Sequence, residues 1–237
     1  MPEMRRFGVW WALMLVVLLA AGCGTAGQDV VGGPAAPPGS VSATRPAGDA
    51  ASHTTAGLAA FDAGDMAKAE QEFRDAIALD PKQARAQFGL GNVLVRQGRL
   101  PEAEQSFRAA LAADPNLASA QANLGVTYYQ MGQLAQAATA FEGALRLEPD
   151  DAATLYLLGA VRLQENNLAE AEKLLLRARE RKASLPEVYY GLGVLYRLKG
   201  QKDDAIAAFE KFLEIGPGQD PTAMDFARQE LKQLKGQ

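Results

Sequence analysis

The sequence predicts an all-α fold built from repeats, and three observations predict it. First, residue types recur every 34 positions: Gly57, Gly91, Gly125, Gly159 and Gly193; Ala69, Ala103, Ala137, Ala171 and Ala205; Phe73, Phe107, Phe141, Leu175 and Phe209. A fixed period of this length marks a repeat architecture. Second, the punctuation is in register. Gly64, Gly98, Gly132, Asn166 and Gly200 are residues that accept a left-handed backbone at a helix end, and Pro81, Pro115, Pro149 and Pro217 stop a helix at a constant spacing. Third, the 237-residue chain is 48% hydrophobic and 22% charged, enough apolar surface for a core.

The chain opens with a segment that reads as an address. Arg5 and Arg6 precede an apolar run over 7–21. At 1.5 Å per residue that run spans about 22 Å, short of a hydrocarbon core of roughly 30 Å, so it reads as a secretory signal and not as a membrane span. It ends in Leu19-Ala20-Ala21-Gly22-Cys23, and Cys23 is the single cysteine of the chain. These residues resemble the lipobox of bacterial lipoproteins, although Ala20 stands where the family usually has Leu. The resemblance implies a signal peptide over 1–22, cleavage before Cys23 and a diacylglyceryl group on its thiol, completed by palmitate-type acyl chains. It also implies a lipid-anchored protein of the cell envelope. Gly24 lacks the acidic residue that commonly retains lipoproteins at the inner membrane. The implied place is the outer membrane facing the periplasm in a two-membrane cell, and otherwise the outer face of the cytoplasmic membrane.

Residues 24–49 are Gly, Pro, Ala, Ser and Thr with almost no large apolar side chain. Such a composition cannot offset its own ordering entropy, so the lipidated cysteine is expected to continue into a flexible tether over 23–49. A coil of this length has a root-mean-square span of roughly 28 Å.

The repeats fill 50–83, 84–117, 118–151, 152–185 and 186–219 without insertion or deletion. A fourth column is Ala76, Ala110, Ala144 and Ala178, broken by Phe212. The small Gly and Ala columns are expected to face each other across close helices, with the Phe column between neighbouring units. The first repeat has Ala56 where the others have Leu90, Leu124, Leu158 and Leu192, as suits a terminal unit. The fourth has Ala183 in place of its proline, so its second helix is expected to run on towards Pro186. These columns resemble the tetratricopeptide repeat, a helix-turn-helix unit. The resemblance implies five helix pairs stacked into a right-handed superhelix, an α-solenoid. Residues 220–237 follow as a capping helix: Asp220-Pro221 reads as N-cap and first helical position, and Ala223, Ala227, Leu231 and Leu234 line one face.

In the tetratricopeptide family the concave face, lined by the first helix of each pair, binds peptides or helices of other proteins. By position in the repeat, that groove is expected to hold Phe88, Ala122, Tyr156 and Tyr190 in one row and Phe61, Val95, Tyr129, Leu163 and Arg197 in another. Leu58, Asn92, Val126, Ala160 and Val194 lie between them. With Arg85, Arg96 and Arg197 flanking the aromatics, the expected ligand is an apolar peptide or helix carrying an acidic group. The family's carboxylate-clamp variant does not fit. Asn92 and Asn123 occupy two of its positions, but Thr54, Ala153 and Leu157 stand where it needs other residues, its basic ones among them.

Several function classes lose support. A net charge of −4 leaves no electrostatic footprint for nucleic acid. One cysteine and one histidine leave no metal cluster, and every glycine of the repeats is accounted for by register, not by a phosphate loop. His53, at the edge of the tether, reads as a solvated or helix-start residue. No enzyme and no cofactor is expected. The reading is an envelope protein-interaction scaffold that assembles a larger machine, of secretin or pilus type. The alternatives are an adaptor for peptidoglycan-processing enzymes or proteases and, less suited to an open arc, a small-molecule or lipid carrier.

Overall fold

A computed structural model describes residues 48–216 and 220–236. The signal peptide, Cys23, residues 23–47 of the tether and Pro217 lie outside the described residues.

Eleven helices and no strand occur among the described residues. In chain order they are α1 (Ala50–Asp62), α2 (Met66–Leu79), α3 (Ala84–Arg96), α4 (Leu100–Ala113), α5 (Ala118–Gln130), α6 (Leu134–Leu147), α7 (Ala152–Gln164), α8 (Leu168–Arg181), α9 (Pro186–Leu198), α10 (Lys202–Ile215) and α11 (Pro221–Lys235). Each odd helix up to α9 pairs with the even helix after it, and each pair packs on the next. The fold is thus an α-solenoid of five helix-turn-helix units closed by α11.

The tight turn inside each pair has one geometry. In the first, Gly64 sits at φ +79°, its N–H bonds the Phe61 carbonyl and the Asp65 N–H bonds the Ala60 carbonyl at 2.9 Å. This is a Schellman cap, which satisfies the last carbonyls of the helix. The fourth turn manages it without glycine: Asn166 takes φ 59°, a strain that Asn tolerates better than most side chains.

Four of the five glycines of the first column lie directly against rings, and Gly159 lies against Leu175. A Cβ at Gly91 would lie 2.5 Å from the Phe107 ring, and the same relation joins Gly57 to Phe73, Gly125 to Phe141 and Gly193 to Phe209. The absent side chain makes room for the flat face of an aromatic residue in the same repeat. Phe73, Phe107, Phe141 and Phe209 are all 0% exposed. Phe73 also reaches the next repeat, where a Cβ at Gly89 would lie 2.3 Å from its ring tip. The third column therefore wedges between units, as expected, and burial of each ring contributes about 1.5–3 kcal/mol.

The fourth repeat also departs from expectation. α8 does not run on towards Pro186. It ends at Arg181, the Lys182 N–H bonds the Ala178 carbonyl, and Leu185 turns back to the Lys182 carbonyl at 3.1 Å. Pro186 instead opens α9, where its missing N–H costs nothing. Backbone hydrogen bonds form this turn with Ala183 in the place that proline holds in other repeats.

Polar links tie neighbouring repeats at the surface. Glu70 on α2 accepts from Arg74, from Gln97 at 3.0 Å and from Arg99 at 2.8 Å. Burial alone would raise its carboxyl, but these hydrogen bonds outweigh burial and hold it at a pKa of about 2. Glu172 and Lys199 repeat the link between the fourth and fifth units at 2.7 Å. His53 lies inside α1 and meets Glu72 of α2 at 2.7 Å, a contact between the first two helices.

The two ends differ. α1 buries only Thr54, Gly57 and Ala60, whereas α7, in the interior of the stack, buries ten residues. At the other end Asp220 caps α11 by accepting from the Thr222 N–H at 2.6 Å, and Ala223 and Ala227 are the buried face. Phe226 adds a contact that the sequence pattern misses, 5.8 Å from the Tyr190 ring and 6.3 Å from Phe209.

Candidate functional site

The odd helices present their stripes side by side, and along them the expected groove residues fall into two sets. In the first two repeats they remain available. Phe61 and Phe88 are half-buried, and Arg85 and Arg96 are exposed. Arg96 lays its guanidinium 4.7 Å from the centre of the Phe61 ring, a cation–π contact that holds the charge at the groove surface. Phe88 leans on Phe107 at 6.0 Å, which fixes its ring without covering it. Between them Asn123 donates from Nδ2 to Asn92 Oδ1 at 2.7 Å. A shallow recess lies among Phe61, Asn92, Val95, Arg96, Asn123 and Val126.

In the last three repeats the expected residues are buried. Tyr129 and Tyr156 are 1% exposed, Tyr190 is 0%, and Val126, Ala160, Leu163 and Val194 are also buried. The expectation that these tyrosines form an open groove surface is corrected, because each turns its ring onto a neighbouring helix. The Tyr129 hydroxyl accepts from the Gln164 side chain of α7. Tyr156 packs beside Gly191 of α9. Tyr190 stacks edge-on with Phe209 and Phe212 of α10 and contacts Phe226 of α11. Burial pushes the phenol pKa of all three upward, so they stay protonated. Arg197 is likewise engaged, with its Nε 3.4 Å from Glu230 Oε2 of the capping helix.

Sequence reasoning missed the polar side of this half. Tyr156 Oη, Tyr190 Oη and Glu187 Oε2 are buried without a hydrogen-bonding partner. Each such group costs about 1–3 kcal/mol, and an ionised one costs more. The i, i+3 spacing of Glu187 and Tyr190 on a groove helix was the available signal. Between α5 and α7 a cleft of about 240 Å³ opens, floored by Ala122, Val126 and Leu157 and rimmed by Glu148 and Asp151. No basic side chain lines it. The site therefore carries free basic groups on α3, and acidic ones in Glu148 and Asp151 ahead of α7 and Glu187 on α9.

Nothing in this arrangement makes a catalytic constellation. Among the described residues no group of three or more His, Cys, Asp or Glu could hold a metal ion, and no helix is long and apolar enough to cross a membrane.

The comparisons with known proteins fit this geometry. Profiles of the tetratricopeptide repeat match residues 54–118, 123–186 and 186–219. No curated protein matches the sequence. Among solved structures, PilW, a widely conserved type IV pilus biogenesis factor, aligns with a TM-score of 0.71 and 20% identity over 79% of this chain and 86% of its own. PilF of Pseudomonas aeruginosa aligns at 0.66 and 22% identity over 78% and 88%. YrrB, a repeat protein with an unusual peptide-binding site, aligns at 0.63 and 23% identity over 76% and 92%. At these identities the likeness is one of fold.

Proposed function

The chain belongs to the tetratricopeptide repeat family, and from that premise we propose that it is a lipid-anchored envelope scaffold whose concave groove docks a segment of another envelope protein. The observation that carries the docking is the open half of the groove. Two aromatic rings stand half-buried on rigid helices, and Arg85 and Arg96 beside them have no ion-pair partner among the described residues. Aromatic anchors flanked by arginine are what protein-binding surfaces use most, because they bring large apolar area at little entropic cost. The accessible half of the groove is a shallow recess, which suits an extended segment and not an enclosed small molecule.

The anchor is carried by Cys23, the single cysteine, in its lipobox-like setting. With the tether behind it, the array works at the membrane surface within about 30 Å of its attachment on average. A scaffold so placed suits the assembly of an envelope machine of secretin or pilus type. The likeness in fold to PilW supports this choice over other envelope roles.

Charge reversal tests the docking. With two groove-rim pairs at up to ~1 kcal/mol each, Arg85→Glu with Arg96→Glu is expected to lower recovery of the co-purifying partner from membranes about tenfold or more. The thermal unfolding midpoint should stay unchanged, since both side chains are exposed. Undiminished recovery would remove the groove from the mechanism.

A further inference from the structure

Glu187 stands in the first turn of α9, only 8% exposed, and its Oε2 meets no donor. Glu187, Tyr190, Val194 and Arg197 follow the i, i+3, i+7, i+10 spacing of one helical stripe, the one that faces the groove. The basic residue of that stripe does not neutralise Glu187, because Arg197 stands about 15 Å further along α9, with its Nε 3.4 Å from Glu230 Oε2 of α11 but without a hydrogen bond. Tyr156 holds on α7 the place that Tyr190 holds on α9, and the hydroxyl of each has no hydrogen-bonding partner. Burial first, then the nearby phenol of Tyr129 and the carboxylate of Glu187, raises the Tyr156 pKa, so its hydroxyl remains a donor as well as an acceptor. A carboxylate oxygen removed from water with no donor beside it calls for a cation. Glu148 and Asp151 extend the negative character towards α5. At the opposite end Arg85 and Arg96 on α3 call for an anion.

We infer that the groove recognises an extended partner segment of split charge: an acidic side chain against Arg85, and a lysine or arginine side chain against Glu187, which holds the same place three repeats further on. The inference rests on the reading that the groove docks a protein segment, and adds the chemistry of that segment. Adjacent packed helices are about 8–10 Å apart, so the three steps α3 to α5, α7 and α9 cover about 24–30 Å. At about 3.3 Å per extended residue, the two charges are separated by about seven to nine residues.

The test is selection of a phage-displayed library of random dodecapeptides against the full chain. Enriched sequences are expected to share an Asp or Glu and a Lys or Arg at that separation. A synthetic peptide of the enriched sequence should bind Glu187→Gln roughly tenfold more weakly or worse. Reselection on Glu187→Gln should lose the basic position and keep the acidic one, while Arg85→Glu with Arg96→Glu should do the reverse. Gln keeps the shape of Glu, and circular dichroism of Glu187→Gln confirms folding. Peptides that depend on Arg85 and Arg96 but carry no basic residue would overturn the split-charge inference and leave groove docking intact. Failure to enrich any peptide, or binding indifferent to every groove substitution, would overturn both.

Discussion

Phe107→Ala lowers the stability of the array by about 3–5 kcal/mol, the usual loss for a fully buried phenylalanine. Phe107 is 0% exposed, and its ring fills the space beside Gly91. Gly91 has no side chain because the ring lies where a Cβ would be, within 2.5 Å, and Phe88 leans on the ring from the groove side. Truncation leaves a cavity between two helices that cannot close, because the turn at Gly98 and the packing of α3 on α4 fix their separation. Urea denaturation followed by circular dichroism measures the loss. The nearest-neighbour character of a solenoid adds a spatial expectation: hydrogen exchange should accelerate most in α3 to α6, with α9 to α11 least affected. Leu147→Ala is the control, since Leu147 is 38% exposed and its loss should cost less than about 0.5 kcal/mol. A cost under about 1 kcal/mol for Phe107→Ala would show that the Gly–Phe pairing does not hold the repeats.

On the proposed lipid anchor, Cys23→Ser is expected to abolish acylation and with it stable membrane attachment. Each buried CH₂ contributes about 0.8 kcal/mol, so one acyl chain holds only reversibly and two or more hold for the life of the protein. Nothing else among the described residues replaces this, since no helix there could cross a bilayer. Metabolic labelling with an alkyne analogue of palmitate is expected to mark the wild-type protein and to leave the variant unmarked, and alkaline washing should release the variant from membranes. Label retained on the Cys23→Ser variant would remove the lipid anchor from the account.

The fold was legible in the sequence because a solenoid repeats its constraints. The left-handed turn recurs at Gly64, Gly98, Gly132, Asn166 and Gly200, and a single sequence shows the rule five times over. The pairing of columns was less legible. A glycine column does not say which side chain fills the space it leaves, and the structure puts the Phe107 ring nearest to Gly91. The candidate groove was legible by half. Position within the repeat identifies Phe61, Phe88, Arg85 and Arg96 on the accessible surface. The same rule applied to Tyr129, Tyr156 and Tyr190 gives residues that are nearly fully buried, because long side chains at equivalent places can turn onto the next helix. Glu187 escaped because acidic residues on helices are usually solvated, and burial is decided by neighbours distant in sequence. The contacts of α11 escaped for a similar reason. Phe226 and Glu230 meet Tyr190 and Arg197 only once the last repeat is in place.

The central claim is that partner docking occurs on the concave surface of the stacked repeats. Site-specific photocrosslinking in cells tests it most directly, with a benzophenone residue placed at Phe88 in the groove and, separately, at Arg179, exposed on α8. A discrete crosslinked protein at 88 and none at 179 is the predicted result. Crosslinking at 179 with none at 88 would place the partner on the outer helices and contradict the account.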